Sequence, residues 1–212
     1  MLIRDIMTKK VITVTSKTSV GDAQKLMKER NLRRLPVVDE GRLVGLVTLE
    51  RLEQIKPKTD APLLWQITYL LSRTTVGDVM RKDTITVKPT ETVEQALAKA
   101  QKVKVGTLIV VNRGQIVGIC TTNDFFYKIV NPTLGLGESG TRILVSGKDI
   151  GQSAEKIISC INNLGIEIKV LWAIAATEGN KKEIVLHLET EDTAKVIKEL
   201  EQLGCTAKVL AR

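Results

Sequence analysis

The chain has 212 residues, of which 43% are hydrophobic and 26% charged, the balance of a soluble globular protein with one large domain or two smaller ones. Aromatic residues are only 3% of the chain, which argues against nucleic-acid binding by base stacking. The net charge of +8 is uneven: residues 1–140 hold 22 Lys+Arg against 14 Asp+Glu, whereas residues 141–212 hold 10 of each.

The excess of cations in the first two-thirds points to an anionic partner there, either nucleic acid or a phosphorylated small molecule; the alternative is a lysine-biased solvated surface. The opening MLIRDIMTKK has no apolar signal-peptide region, and runs such as Leu108–Val111 and Val170–Ala176 are too short to span a bilayer. The three cysteines, Cys120, Cys160 and Cys205, sit in apolar contexts without a CxxC or Cys/His cluster. They read as buried thiols, not zinc ligands, and a cytoplasmic protein is expected.

Taken in chain order, the elements repeat with a period of 73. Between residues 5–52 and 78–125, 15 of 48 positions are identical without a gap. Each repeat begins with a short opening (DIMT, DVMR) and a short strand (VITV, TITV). A helix follows, with Val20, Ala23, Leu26 and Met27 on the apolar side of the first and Val93, Ala96, Leu97 and Ala100 on that of the second. Ser19 and Thr92 are its expected N-caps. Next come an apolar strand (LPVV, LIVV), a glycine turn, a second strand (LVGLVT, IVGICT) and a further helix after Thr48 or Thr121. Between the repeats, Lys56–Asp60 reads as a polar linker, and Leu63–Arg73 as a bridging helix that packs Leu64, Ile67, Leu70 and Leu71 on the core.

The paired β-α-β-β-α units, their DIMT and DVMR openings, the Pro-Val-Val and Ile-Val-Val strands and the GICTTND stretch resemble a tandem of cystathionine-β-synthase (CBS) domains over residues 1–130. The resemblance implies a two-fold module whose clefts bind adenosine compounds such as AMP, ADP, ATP, S-adenosylmethionine or dinucleotides. It implies that Asp124 holds the ribose hydroxyls, since a carboxylate accepts from two vicinal hydroxyls at once. Thr121 would serve the ribose or the α-phosphate, and the backbone N–H groups of Thr122 and Asn123 would favour an anion. Thr84, Ile85 and Thr86 are expected to flank the adenine, with Gly106, Thr107 and Leu108 opposite. Arg33 and Arg34, at the groove between the units, are candidates for phosphate. The competing reading of Asp124 is a first-turn helix acid. At the matching position the first repeat has Arg51, which has donors only. One nucleoside site per chain is therefore expected, in the second repeat, with the first cleft empty, taking something other than a nucleoside, or lending Arg51 to a phosphate seated elsewhere.

Residues 131–140 (NPTLGLGESG) read as a linker. Beyond it the order is strand (Arg142–Gly147), helix (Gly151–Leu164), two strands (Glu167–Ala176, Glu183–Glu189) around the turn Glu178–Lys181, helix (Thr193–Leu203, with Ala194, Ile197, Leu200 and Leu203 expected to be buried) and strand (Cys205–Leu210). That βαββαβ order is ferredoxin-like, and with GTRILV…GIEIKV it resembles an ACT domain, a small-ligand regulatory module. Gly151 matches the glycine of that family's amino-acid-binding turn, but Ile150 stands where a proline is usual, so amino-acid binding and plain dimerisation both stay open. The whole order resembles CBS proteins of the acetoin-utilisation type.

The expected fold is α/β (α+β), in five segments: a CBS unit (1–55), linker and bridging helix (56–73), a second CBS unit (74–130), a linker (131–140) and an ACT-like domain (141–212). No catalytic set can be built around the lone His187, which reads as a core or sheet-face histidine. There is no P-loop or Rossmann fingerprint. The expected function is that of a non-catalytic, homodimeric regulatory protein that binds an adenine nucleotide, needs no other cofactor or metal, and acts on a protein target. Amino-acid sensing or dimerisation through the last domain is the alternative, and nucleic-acid binding ranks third, resting on charge alone.

Overall fold

A computed structural model describes residues 1–55, 63–147, 153–175 and 182–210. The expected linker Lys56–Asp60, the turn Glu178–Lys181 and the Ile150-Gly151 pair lie outside the described residues. The chain is mixed α/β and divides into two compact units, Met1–Phe126 and Tyr127–Arg212.

In the first unit the first repeat comprises α1 (Ile3–Ile6), α2 (Val20–Glu29), β1 (Arg34–Asp39), β2 (Arg42–Thr48) and α3 (Leu49–Glu53). After α4 (Leu64–Arg73), the second repeat runs α5 (Val76–Val79), β3 (Thr86–Val87), α6 (Val93–Lys102), β4 (Thr107–Asn112), β5 (Gln115–Thr121) and α7 (Thr122–Phe125). Ser19 and Thr92 are the side-chain N-caps of α2 and α6, accepting from Asp22 and Gln95 N–H. Both hairpins turn through a residue of positive φ before a glycine, Glu40-Gly41 and Arg113-Gly114, as type I′ turns require. Both carry a bulge at the same place, Val37/Val38 and Val110/Val111.

The expected strand VITV forms only a single parallel bridge, Val14 to Val37. Its counterpart β3 is a true strand, parallel to β4. The cause is one imino acid. Ile109 N–H donates to Ile85 O at 3.1 Å in the second repeat, but the matching residue in the first is Pro36, which has no N–H to give Ile12. Helix α4 also departs from expectation. Leu71 packs against the first-repeat core, but Leu64 is 79% exposed and no residue of the helix is buried.

The two openings are exchanged. Ile3 N–H donates to Glu91 O (2.9 Å) and Arg4 N–H to Pro89 O (3.0 Å), while Val76 N–H donates to Thr18 O and Gly77 N–H to Ser16 O (both 2.8 Å). Thr8 exchanges both backbone bonds with Ile119, and Arg81 does the same with Leu46. Each opening ends in a methionine laid on a glycine of the other repeat. A Cβ on Gly118 would lie 2.5 Å from Met7 Sδ, and one on Gly45 would lie 2.5 Å from Met80 Sδ. The glycine shared by GLVT and GICT is thus the notch that the other repeat's thioether fills.

Acids hold the exchanged segments. Asp78 accepts from Thr75 Oγ1 (2.7 Å) and Thr75 N–H (2.9 Å), and the hydroxyl first, then the N–H, lower its pKa. Burial raises the Glu91 carboxyl, but hydrogen bonds from Lys99 (2.6 Å) and Lys88 N–H (2.9 Å) outweigh it and leave the pKa lowered.

The second unit comprises α8 (Asn131–Leu134), β6 (Thr141–Ser146), α9 (Ala154–Asn163), β7 (Ile168–Ala175), β8 (Lys182–Leu188), α10 (Ala194–Gln202) and β9 (Thr206–Leu210). Its antiparallel sheet has the order β7-β8-β6-β9, the ferredoxin-like arrangement. Ile143, Val145, Ile157, Ile161, Ile184, Leu186, Leu188, Val196 and Leu200 form its core. The buried stripe of α10 is centred on Val196 and Leu200; Ala194 and Leu203, expected inside, are exposed. Helix α8 falls in the stretch expected as a linker, and Arg142 Nη2 donates to the carbonyls of Leu134 and Gly135. His187 is fully buried, with Nε2 2.9 Å from Ser139 O.

Two outcomes are expected. Gly45→Ala should destabilise the chain by about 1–3 kcal/mol, more than Gly118→Ala. The reason is that its Cβ would also lie 2.9 Å from the Arg81 carbonyl, whereas Gly118 meets only a side chain; urea titration of both variants decides this. Because Asp78 and Glu91 have lowered pKa values, their stabilisation is present above the ordinary carboxylate range and is lost as pH falls through the folded values. Thermal midpoints should be flat above about pH 5 and fall below about pH 4.

Candidate functional site

The end of β5 and the start of α7 shape one wall. Asp124 is 8% exposed. Its Oδ2 accepts from Thr121 N–H and Thr121 Oγ1, both at 2.9 Å, and its Oδ1 accepts from Thr8 Oγ1 at 3.2 Å. The carboxylate thus closes a capping box on α7, the helix-acid role. It also ties that helix to a hydroxyl brought from the far end of the unit by the exchanged opening.

The strand beside it completes the corner. Gly106 O accepts from Thr122 N–H (3.2 Å) and Thr122 Oγ1 (3.3 Å). A Cβ on Gly106 would lie 2.9 Å from Thr122 Oγ1 and 3.6 Å from Arg34 Nη2. Arg34, from the first repeat, therefore reaches across to the backbone of the second, and a side chain at 106 would close that approach.

Behind this corner lies a cavity of about 380 Å³, lined by Leu97, Ala100, Gln101, Lys104, Val105, Gly106, Thr107, Leu108, Thr122 and Phe125. Its walls are mostly apolar. Thr107 Oγ1 is buried without a hydrogen-bond partner among the described residues. The first repeat explains why the space exists. At the matching positions it has Met27, Leu49 and Leu52 against Ala100, Thr122 and Phe125. Met27 and Leu52 are fully buried in its core, with Leu49 packed on them. Gln24 Nε2 donates to Leu52 O there, where the second repeat has Leu97. Ala100 is smaller than Met27, and the cavity of the second repeat lies against it, where the first repeat has the fully buried Met27.

Of the residues expected from the sequence, Gly106, Thr107, Leu108 and Thr122 line the cavity, with Arg34 at its Gly106 edge. Thr121 and Asp124 form the adjoining wall, and Asn123 is exposed on α7. Thr84, Ile85 and Thr86 lie along β3 and just before it, outside the lining, with Thr84 and Ile85 half-buried and Thr86 exposed. Arg33 is exposed at the start of β1, where its carbonyl accepts from Leu49 N–H. Sequence reasoning missed Thr8, Ala100 and Phe125. The signal was in the repeat itself, which sets Ala100 against Met27 and Thr8 against Arg81.

The CBS domain family profile matches residues 3–54 and 76–131, just over half of the chain, and the chain belongs to this family. Among curated relatives it is similar to the inosine-5'-monophosphate dehydrogenase of Korarchaeum cryptofilum, at 34% identity over 131 residues, 61% of this chain and 25% of that protein. The matches to the first four curated relatives span only 22–30% of their lengths. Among solved structures, a protein assigned to acetoin utilization (AcuB) from Vibrio cholerae aligns with TM-score 0.51 and 28% identity, covering 62% of this chain and 91% of that one. The CBS domain pair of protein MJ0100, solved with 5'-methylthioadenosine and S-adenosyl-L-methionine, aligns at TM-score 0.48 and 29% identity over 62% of this chain and 97% of that one. No helix among the described residues is long and apolar enough to cross a membrane.

If the cavity owes its volume to Ala100, then Ala100→Met should fill it and stabilise the chain by about 2 kcal/mol, from the apolar surface the longer side chain buries. A rise in urea midpoint without a change in slope would bear this out; destabilisation would mean that the space is not free.

Proposed function

We propose that the chain is a non-catalytic regulatory module that binds one adenine nucleotide, AMP, ADP or ATP, in its second repeat. The observation that carries this reading is the cavity that opens beside Gly106, Thr107 and Thr122 where the first repeat is filled. Its apolar walls suit a base. Asp124 then holds the ribose. A sugar hydroxyl takes over the place of Thr8 Oγ1 on Oδ1, while Thr121 keeps Oδ2. Arg34, aided by Arg33, supplies cations for phosphate. Thr84, Ile85, Thr86 and Asn123 form the outer edge of the same site.

Regulation follows from the Thr8 bond. Occupancy that frees Thr8 loosens the opening segment of the first repeat from α7, and a ligand that prefers one arrangement shifts the population toward it. In the same reading the sequence divides at the segment boundaries set out above. The second unit is an ACT-type domain, supported by its β7-β8-β6-β9 order. A cytoplasmic homodimer acting on a protein target completes the proposal.

The test is calorimetry with AMP and ATP. One site per chain is expected. Asp124→Asn should weaken it about 10- to 100-fold, the worth of a hydrogen bond to a charged acceptor, and Ala100→Met should abolish it. Two equal sites per chain, or affinity untouched by both variants, would overturn the reading.

A further inference from the structure

The two-fold relation between the repeats matches three corner positions of the second repeat with three of the first. Gly106 at the start of β4, Asp124 on α7 and Thr8 on the crossing opening correspond to Arg33, Arg51 and Arg81. The backbone frame is the same at both corners. Arg33 O accepts from Leu49 N–H at 2.9 Å, as Gly106 O does from Thr122 N–H at 3.2 Å. Arg81 and Leu46 exchange two bonds of 2.9 Å, as Thr8 and Ile119 do at 2.9 and 3.0 Å. Thr48 Oγ1 caps α3 by accepting from Arg51 N–H. Three separate segments thus bring the backbones of three arginines to one corner, where the other repeat has a glycine, an aspartate and a threonine.

Chemistry at this corner is therefore inverted. Arg33, Arg51 and Arg81 are all exposed and belong to no ion pair among the described residues. Among the described residues, Glu50 and Asp83, their sequence neighbours, form no ion pair with them either. Three arginines anchored at one corner give it a net positive charge, and an anion between their flexible side chains accepts from guanidinium in a bidentate way. A ribose is not recognised, since guanidinium cannot accept from a hydroxyl. A base has no slot, because Met27, Leu49 and Leu52 fill the matching volume.

We infer that the first-repeat corner is a binding site for a phosphate-chain anion, with no requirement for a nucleoside. The site shares Arg33 with the proposed nucleotide site, but Arg51 and Arg81 belong to it alone, and it survives that proposal's failure. Calorimetry with inorganic tripolyphosphate tests it on the full chain, using the wild type, Arg51→Gln/Arg81→Gln and a control that removes two other exposed cations, Lys28→Gln/Lys102→Gln. One site per chain is expected, weakened roughly 30-fold or more in the arginine variant because charge-assisted bonds are lost, and shifted less than about threefold in the lysine variant, where only distant, screened charge is removed. Orthophosphate should bind more weakly than tripolyphosphate. Equal loss in both variants would mean that general charge attracts the anion, and unchanged affinity in the arginine variant would place the anion elsewhere. Either result, or no binding by the wild type, overturns the inference. Circular dichroism of each variant confirms that it is folded.

Discussion

Met7 lies on Gly118 and Met80 on Gly45, and everything at the two corners depends on this reciprocal crossing. A half-sheet of two or three strands cannot bury both its faces alone. Exchanging the openings gives each repeat a partner segment, sealed by paired backbone bonds at Thr8–Ile119 and Arg81–Leu46. The notch accepts a thioether because glycine leaves room for it, and methionine adapts to the shape it meets. That is why the glycine of the Gly-hydrophobic-x-Thr frame stands in both repeats. The threonine stands in both because each ties down the first turn of the next helix: Thr48 Oγ1 accepts from Arg51 N–H on α3, and the Thr121 hydroxyl donates to Asp124 on α7. The frame is therefore architecture, and the positions between its fixed points are free to differ.

The period of 73 and the hydrophobic spacing reveal the strands and helices of the first unit, and the βαββαβ order reveals the topology of the second. The crossing is invisible in the sequence for a physical reason. An opening that packs on its own repeat and one that packs on the other present the same residues at the same period. The lost VITV strand was legible in principle, since Pro36 announces the missing donor. The exposure of Leu64 on α4 was not, because periodicity gives the apolar side of a helix but not whether anything covers it. On α10, Ala194 and Leu203 fit the helical spacing as well as Val196 does; the sheet selects the stripe that faces it. For the site, Asp124 and Thr121 were readable from their frame. Thr8 was not, because it arrives by the crossing.

The two repeats use one backbone for opposite ends. In the first, Met27 and Leu52 complete a solid core and arginines stand at the corner. In the second, Ala100 leaves a cavity and the corner holds Asp124 and Thr8. A large-to-small difference at a buried position is worth on the order of 2–5 kcal/mol when the neighbours do not collapse into the gap. The second repeat therefore gives up stability where the first keeps it.

That deficit is local and of two kinds. The Ala100 space lacks dispersion contacts, and the buried Thr107 hydroxyl lacks a partner among the described residues, a loss of about 1–3 kcal/mol for a buried polar group. On the proposed reading, the apolar ring of a ligand fills that space, and part of its binding free energy is the dispersion contact that Ala100 forgoes. On the same reading, a ligand that reaches Asp124 competes with Thr8, whose backbone is bonded to β5 although its chain belongs to the first repeat. Occupancy so proposed adds stability to one repeat while perturbing a segment contributed by the other. Binding that strengthens one contact of a two-part frame and weakens another is the physical condition for a ligand to change the arrangement of the frame as well as its stability.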